Sequence, residues 1–251
     1  MTEGIERWKG KTALVTGASS GIGLAIARAL ARNGVRLVLT ARRAERLEAL
    51  KSELEAHGVE VLAVSADLRQ TDAIDSLFRT VRNQWGGIDV LINNAGLGWR
   101  ELLETVDFTH LQSMMDVNIR AATICIREAL KDMKGKQDAA IINISSLAGH
   151  RVPPGIGGTF YSASKHALKA IADGLRQELV AENSPIKLGT ISPGMVETEF
   201  QTVAAPGGNY AGYEYPPLRA EDVADAVLYM LSAPRNVQIS DILMRPLSQP
   251  H

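Results

Sequence analysis

The chain has 251 residues, 45% hydrophobic and 22% charged, which excludes a disordered, collagenous or membrane-embedded protein on composition. Its 27 basic and 28 acidic side chains leave a formal charge of −1, so no basic field draws it to nucleic acid. One cysteine, Cys125, excludes an intrachain disulfide and points to a reducing compartment, and the five histidines show no metal-ligand spacing. The polar start MTEGIERWKGK has no apolar core for a signal peptide, and no apolar run approaches the ~20 residues of a membrane span. A cytoplasmic protein with no metal, nucleic-acid or membrane partner is expected.

Lys11 to Thr16 reads as a short apolar strand that runs straight into GASSGIG, and a helix follows from Ile22 to about Asn33, with Gly34 as its stop. Gly17, Gly21 and Gly23 sit where strand turns into helix. Small residues there let the backbone approach a pyrophosphate, whose charge is met by the free N–H groups and dipole of the helix start. The spacing Gly-x-x-x-Gly-x-Gly fits the commoner dinucleotide fingerprint only loosely, and such a turn can also be plain strand-to-helix punctuation. The next strand, Arg36 to Thr40, ends in Ala41-Arg42-Arg43 and leads to a helix closed by Gly58. An acidic residue at this position suits the ribose of NAD, whereas an arginine suits a ribose 2′-phosphate. The first helical turn disfavours cations, so two arginines there imply an anionic partner. NADP is the expected cofactor, with Arg42 ranked above Arg43 because it lies nearer the strand end.

A third strand, Val59 to Ser65, ends at Ala66-Asp67-Leu68, and the helix Thr71 to Trp85 follows. The fourth, Ile88 to Ile92, opens onto Asn93-Asn94-Ala95-Gly96. Asparagines there can brace neighbouring backbone and Ala-Gly lets a flat ring lie close, though all four are also ordinary turn residues. A long helix from about Phe108 to Met133 carries Asn118 among apolar residues. A buried amide needs partners, so Asn118 is either a satisfied core group or part of a polar relay.

The fifth strand, Ala139 to Ile144, is apolar and β-branched and ends in Ser145-Ser146, as a buried parallel strand with hydroxyls at its carboxyl end would. After a Gly- and Pro-rich loop, a helix runs from Tyr161 to about Glu182. Tyr161 and Lys165, four apart, share one face. The cation favours the phenolate, so Tyr161 could trade a proton nearer neutrality than its usual pKa of about 10 allows. Taken alone, such a pair is more often a snorkelling Tyr and a solvated Lys, so its meaning depends on context. The sixth strand, Ile186 to Ile191, ends in Ser192-Pro193-Gly194. Residues 197–217 read as a lid carrying Tyr210, Tyr213 and Tyr215, before a helix Ala220 to Leu231 and a last strand Val237 to Met244. Strands and helices alternate throughout, with no repeat or linker. That predicts a single domain over 1–251: a doubly wound, mostly parallel seven-stranded sheet with helices on both faces and its site at the strands' carboxyl ends.

Thr16 to Gly23, Asn93 to Gly96, Asn118, Ser146, Tyr161-x-x-x-Lys165 and Pro193-Gly194 stand in the order and rough spacing of the short-chain dehydrogenases/reductases, which the chain resembles over almost its whole length. The stretches GHRV, FYSASK, GLRQEL, ISPGMVET and MRP are similar to a branch associated with NADPH-dependent reduction of keto-steroids and diketones. The resemblance implies an enzyme with Tyr161 as acid/base, Lys165 lowering its pKa and binding the nicotinamide ribose, and Ser146, rather than Ser145, holding the substrate oxygen. Asn118 would hold a water linking Lys165 to solvent. Cofactor contacts are implied for Gly17, Ser19, Ser20, Gly21, Ile22 and Gly23, then for Arg42, Arg43, Asp67 (on adenine) and Leu68. Further along, they are implied for Asn94, Ala95, Gly96, Pro193, Gly194, Val196 and Thr198 (on the carboxamide).

Trp99, Val152 with Pro153 and Pro154, and Tyr213 are expected around the substrate, together with Ser146 and Tyr161. Large rings suit a bulky apolar ketone, diketone or steroid-like molecule better than a small hydroxy acid, which needs a fixed cation. Arg151, the candidate clamp, is expected to face solvent or a subunit contact. Two alternatives stand beside this reading: a reductase of carrier-bound 3-oxoacyl groups, and a non-catalytic NADP-binding regulator on the same fold. A homo-oligomer is expected, a dimer through the helices of Asn118 and Tyr161, or a tetramer with added pairing through Ile239 to Met244.

Overall fold

Strands apolar on both faces can be covered only in a parallel sheet clad by helices. That arrangement forms in the computed structural model, which describes residues 3–153, 157–204 and 215–249. The strands are β1 (Thr12–Thr16), β2 (Arg36–Ala41), β3 (Val61–Ser65), β4 (Val90–Asn93), β5 (Ala140–Ile144), β6 (Lys187–Pro193) and β7 (Asp241–Met244). They pair in parallel in the order β3-β2-β1-β4-β5-β6-β7. The order reverses between β1 and β4, and such a reversal opens a crevice at the carboxyl ends of the two strands.

The helices are α1 (Glu3–Glu6), α2 (Gly21–Arg32), α3 (Ala44–Glu55), α4 (Thr71–Trp85), α5 (Phe108–Met114), α6 (Ala122–Met133), α7 (Thr159–Ala181), α8 (Phe200–Ala204) and α9 (Ala220–Ser232). Strand side chains alternate between two cores. Ala13 and Val15 join Leu37, Leu39 and Ile92 under α2, α3 and α9. Leu14 joins Val38, Leu91 and Ile141 under α4, α6 and α7. Trp8, buried, ties the start of the chain to the end of α9 by donating from Nε1 to Leu231 O at 2.8 Å.

Two elements differ from expectation. The helix over 108–133 is continuous but takes a π-helical turn at Met115–Ala121, which contains Asn118. An apolar stripe carries no mark of whether N–H groups bond four or five residues back, so the sequence pattern reads as plain α-helix. The last strand starts at Asp241 instead of Val237. Ahead of it the Gln238 amide takes the place of a ladder, accepting from Leu188 N at 3.2 Å and donating to Leu188 O. Among the described residues no helix is long and apolar enough to cross a membrane, and no group of three His, Cys, Asp or Glu could hold a metal ion.

Candidate active site

The end of β1 is fastened to the end of β4. Thr16 Oγ1 donates to Ile92 O at 3.2 Å and accepts from the backbone N–H groups of Asn94 and Ala95, both at 3.0 Å. The Asn94 amide donates to Thr16 O at 2.9 Å and to Gly17 O at 3.3 Å. Gly17 has φ +67, which a side chain would strain. A Cβ at Gly23 would run into Gly17 O and the Asn94 amide, so only glycine lets α2 start this close to the turn. Gly23 therefore serves the packing of helix on strand and does not line the crevice. Ser20, at the N-cap of α2, makes no side-chain cap, which leaves the helix-start N–H groups to an anion.

The crevice holds about 800 Å³. Its walls include the residues expected against a dinucleotide, Gly23 excepted: the turn at Gly17 and Ser19 to Ile22, then Arg42, Arg43, Asp67 and Leu68, then Asn94 to Gly96, and Tyr161, Lys165, Pro193, Gly194, Val196 and Thr198. Arg43, ranked second from sequence, is the arginine drawn onto the turn. Its guanidinium donates to Ser19 Oγ at 3.0 Å, to Ser20 Oγ at 2.6 Å and to Glu199 at 2.8 Å. Arg42 is exposed at the same rim. The Asp67 carboxylate is gripped by Arg69 (Nη2 to Oδ2 2.6 Å), and that hydrogen bond holds its pKa below the usual carboxylate range.

At the inner end Ser146 caps the short turn Leu147–Gly149, its Oγ accepting from Ala148 N at 3.1 Å, and it hydrogen-bonds the Tyr161 phenol. The Ser145 hydroxyl, at the same strand end, is buried with no hydrogen-bond partner. Lys165, buried, donates from Nζ to Ile144 O at 3.2 Å and lies 5.8 Å from the Tyr161 ring centroid. Burial pushes the Tyr161 phenol up to about 12, the Ser146 hydrogen bond opposing it, and pushes the Lys165 ammonium down to about 8. Burial, which disfavours the charged phenolate, is the larger of these two influences on Tyr161.

Asn118 is 1% exposed and does not line the crevice. Its Oδ1 accepts from Leu97 N at 2.8 Å, and its Nδ2 donates to Leu97 O at 2.8 Å and to Ser164 Oγ at 2.9 Å. Ser164 in turn donates to Tyr161 O at 2.7 Å. Both amide hydrogens are therefore committed, and the side chain braces the β4 loop against α7.

Of the expected substrate contacts, Trp99 lines the crevice, stacked on His110 with ring centroids 4.4 Å apart. Val152 is exposed and does not line it, whereas its neighbour Pro153 does, because the loop turns the adjacent residue inward. Tyr210, Tyr213 and Pro154 lie outside the described residues, and Tyr215 lines the wall. Arg151 does not line the crevice; it is half-buried, with Nη2 enclosed and without a hydrogen-bond partner, and Arg100 is the arginine at this end of the crevice. Sequence reasoning missed Phe200, whose ring lies 5.7 Å from that of Tyr161, and Gln249, which accepts from Met195 N at 3.1 Å. Phe200 had a signal, as one of four phenylalanines placed just after Thr198. Gln249 had none, since its contact spans the fold.

The short chain dehydrogenase family matches residues 11–207. The chain is 44% identical over 254 residues to the mouse (Mus musculus) Dehydrogenase/reductase SDR family member 11, covering 98% of each. It is 40% identical over 248 residues to Farnesol dehydrogenase of Aedes aegypti, covering 98% of this chain and 99% of that one. Among solved structures, the alcohol dehydrogenase of the archaeon Thermococcus sibiricus complexed with 5-hydroxy-NADP matches with TM-score 0.84 at 30% identity, over 97% of this chain and 99% of that one. A match across most of the chain, on a sheet whose switch point opens onto Ser146, Tyr161 and Lys165, places this chain in the short-chain dehydrogenase family.

Proposed function

We propose that this short-chain dehydrogenase uses NADP(H) to interconvert a carbonyl and a secondary alcohol, that Tyr161 is its acid/base, and that its substrates are bulky apolar ketones, diketones or steroid-like molecules. The observation that carries the chemistry is the Tyr161 phenol bonded to Ser146 beside Lys165, in a crevice of about 800 Å³. The residues present fit that cofactor. The uncapped start of α2 suits a pyrophosphate, and Arg43 above Ser19 and Ser20 suits a 2′-phosphate. The solved Thermococcus sibiricus relative, complexed with 5-hydroxy-NADP, agrees with it.

NADPH supplies the hydride when bound. In the direction of reduction, Tyr161 passes its proton to the substrate oxygen as charge develops there, and the Ser146 hydroxyl donates to the same oxygen. The positive charge of Lys165 favours the phenolate left behind, and Asn118, through Leu97 and Ser164, keeps α7 and the β4 loop in register.

Aromatic rings of Trp99, Phe200 and Tyr215 around the substrate end support an apolar substrate. A panel of ketones followed by NADPH absorbance tests it: cyclic and aromatic ketones should be reduced with higher kcat/KM than short keto acids. Keto acids winning the panel, with Arg100→Ala abolishing their turnover, would replace this substrate class with an anionic one. A homo-oligomeric, cytoplasmic enzyme completes the proposal, supported by apolar side chains left exposed on α5 and α9 and by a single buried cysteine.

A further inference from the structure

Beside the crevice, one carboxylate holds two guanidinium groups. Glu199 Oε2 accepts from Arg43 at 2.8 Å, and Glu199 Oε1 accepts from Arg46 at 2.7 Å. Arg43 is the same side chain that lies on the hydroxyls of Ser19 and Ser20, and Ser19, Ser20, Arg43 and Glu199 all line the crevice. The contact joins distant parts of the chain. Arg43 stands at the N-cap position of α3 just after β2, while Glu199 sits between Thr198 and Phe200 after β6. Thr198 presses on the Gly-rich turn, where a Cβ added at Gly21 would stand 3.0 Å from its methyl.

We propose that Glu199 limits the strength of NADP(H) binding: its carboxylate occupies the guanidinium of Arg43 that the cofactor's 2′-phosphate needs, so the phosphate must displace it. This rests on the NADP reading above. A carboxylate presents two anionic oxygens to a guanidinium much as a phosphate does, and the two compete for the same N–H donors. All three ion-pair partners are about half exposed, so the pair is screened and gives way readily to a dianion. Displaced or not, the Glu199 charge remains close to the phosphate and repels it. Two arginines for one glutamate leave one positive charge over, enough to draw the phosphate in and not enough to hold it as tightly as the bare pair would. NADH, which has no 2′-phosphate, does not engage this competition.

Dissociation constants for NADPH and NADH, read by fluorescence titration of the full chain, test this in the wild type, Glu199→Gln, Arg43→Ala and the double variant. Glu199→Gln keeps the size and polarity of an exposed side chain, so folding is preserved. It should bind NADPH about three- to tenfold more tightly and leave NADH within about twofold, the scale of one unit charge near a surface. In the Arg43→Ala background the same substitution should change NADPH binding little, because the donor under competition is gone. A merely structural role for Glu199 would move both cofactors together, and that result overturns the proposal. So does unchanged or weaker NADPH binding in Glu199→Gln, which would make the carboxylate an organiser of Arg43 and not its competitor. A wild-type preference for NADPH that fails to grow in the variant removes the competition alone. Equal affinity for the two cofactors in both proteins removes the NADP assignment itself, and the competition with it.

Discussion

Burial raises the pKa of the Tyr161 phenol and its hydrogen bond with Ser146 lowers it, and burial is the larger effect. The group is thus held as the protonated acid, ready to donate, and Ser146 fixes its direction. Tyr161→Phe keeps the ring against Phe200 and loses the proton, so turnover should fall by roughly 10²–10⁴ while NADPH still binds. Near-normal turnover in that variant would take the acid/base role from Tyr161. Lys165 makes a separate prediction about stability. Its pKa falls from 10.5 in the unfolded chain to about 8 when folded, so between those values the unfolded chain binds the extra proton and stability rises with pH. The contribution is fully present above about 10.5 and lost as pH falls through about 8. Lys187, also pushed down to about 8, acts in the same direction, while Tyr161 and Cys125, both pushed up to about 12, act oppositely at the alkaline end. The readout is therefore a difference. Urea midpoints should climb less from pH ~8 to pH ~10 in Lys165→Met than in wild type, and identical slopes would show that Lys165 is not buried as a cation.

At the scale of elements, the turn between β1 and α2 is held by close contact and not by flexibility. Gly23→Ala would place a methyl group against Gly17 O and the Asn94 amide, and the helix would have to back away from the strand. A loss of about 1–3 kcal/mol on urea unfolding is expected, with weaker NADPH binding, since the helix start and the turn move together. Unchanged affinity would mean that the turn does not hold the pyrophosphate. The π-helical turn at Met115–Ala121 is the second such device, because it is where Asn118 reaches both Leu97 and Ser164. Wide helical bulges of this kind are often found at functional sites. Here its consequence is geometric: the loop after β4 and the helix of Tyr161 are tied to one side chain.

For the whole molecule, several large apolar side chains remain exposed among the described residues. Leu102, Leu103, Phe108 and Met115 cluster along the approach to α5 and its end, with Phe108 79% exposed, and Tyr229 and Leu243 stand on α9 and the edge strand β7. Isolated exposed apolar residues are ordinary, but four such side chains within fourteen residues of chain, from Leu102 to Met115, suggest a covered face. Light scattering at micromolar concentration should give a dimer or larger, and Phe108→Glu should shift it toward smaller species. A wild-type monomer would contradict the expected assembly.

The strands, the glycine turn and the pair Tyr161 and Lys165 could be read from the chain because each is written in near neighbours: alternation, turn chemistry and a four-residue helical step. Their order along the chain was enough to expect a parallel sheet with its site at the carboxyl ends. What folding alone settled are contacts between residues that only the strand order brings together. Arg43 meets Glu199 across 156 positions, and Gln249 reaches Met195 across 54. The contacts of Arg43 made it, not Arg42, the arginine at the turn, and Asn118 reaches Leu97 and Ser164 only once the chain has folded. The direction of the Tyr161 shift belongs to the same class. Near neighbours are visible in a sequence, but burial is a property of everything packed around a group, and here burial is larger than the opposing Ser146 hydrogen bond.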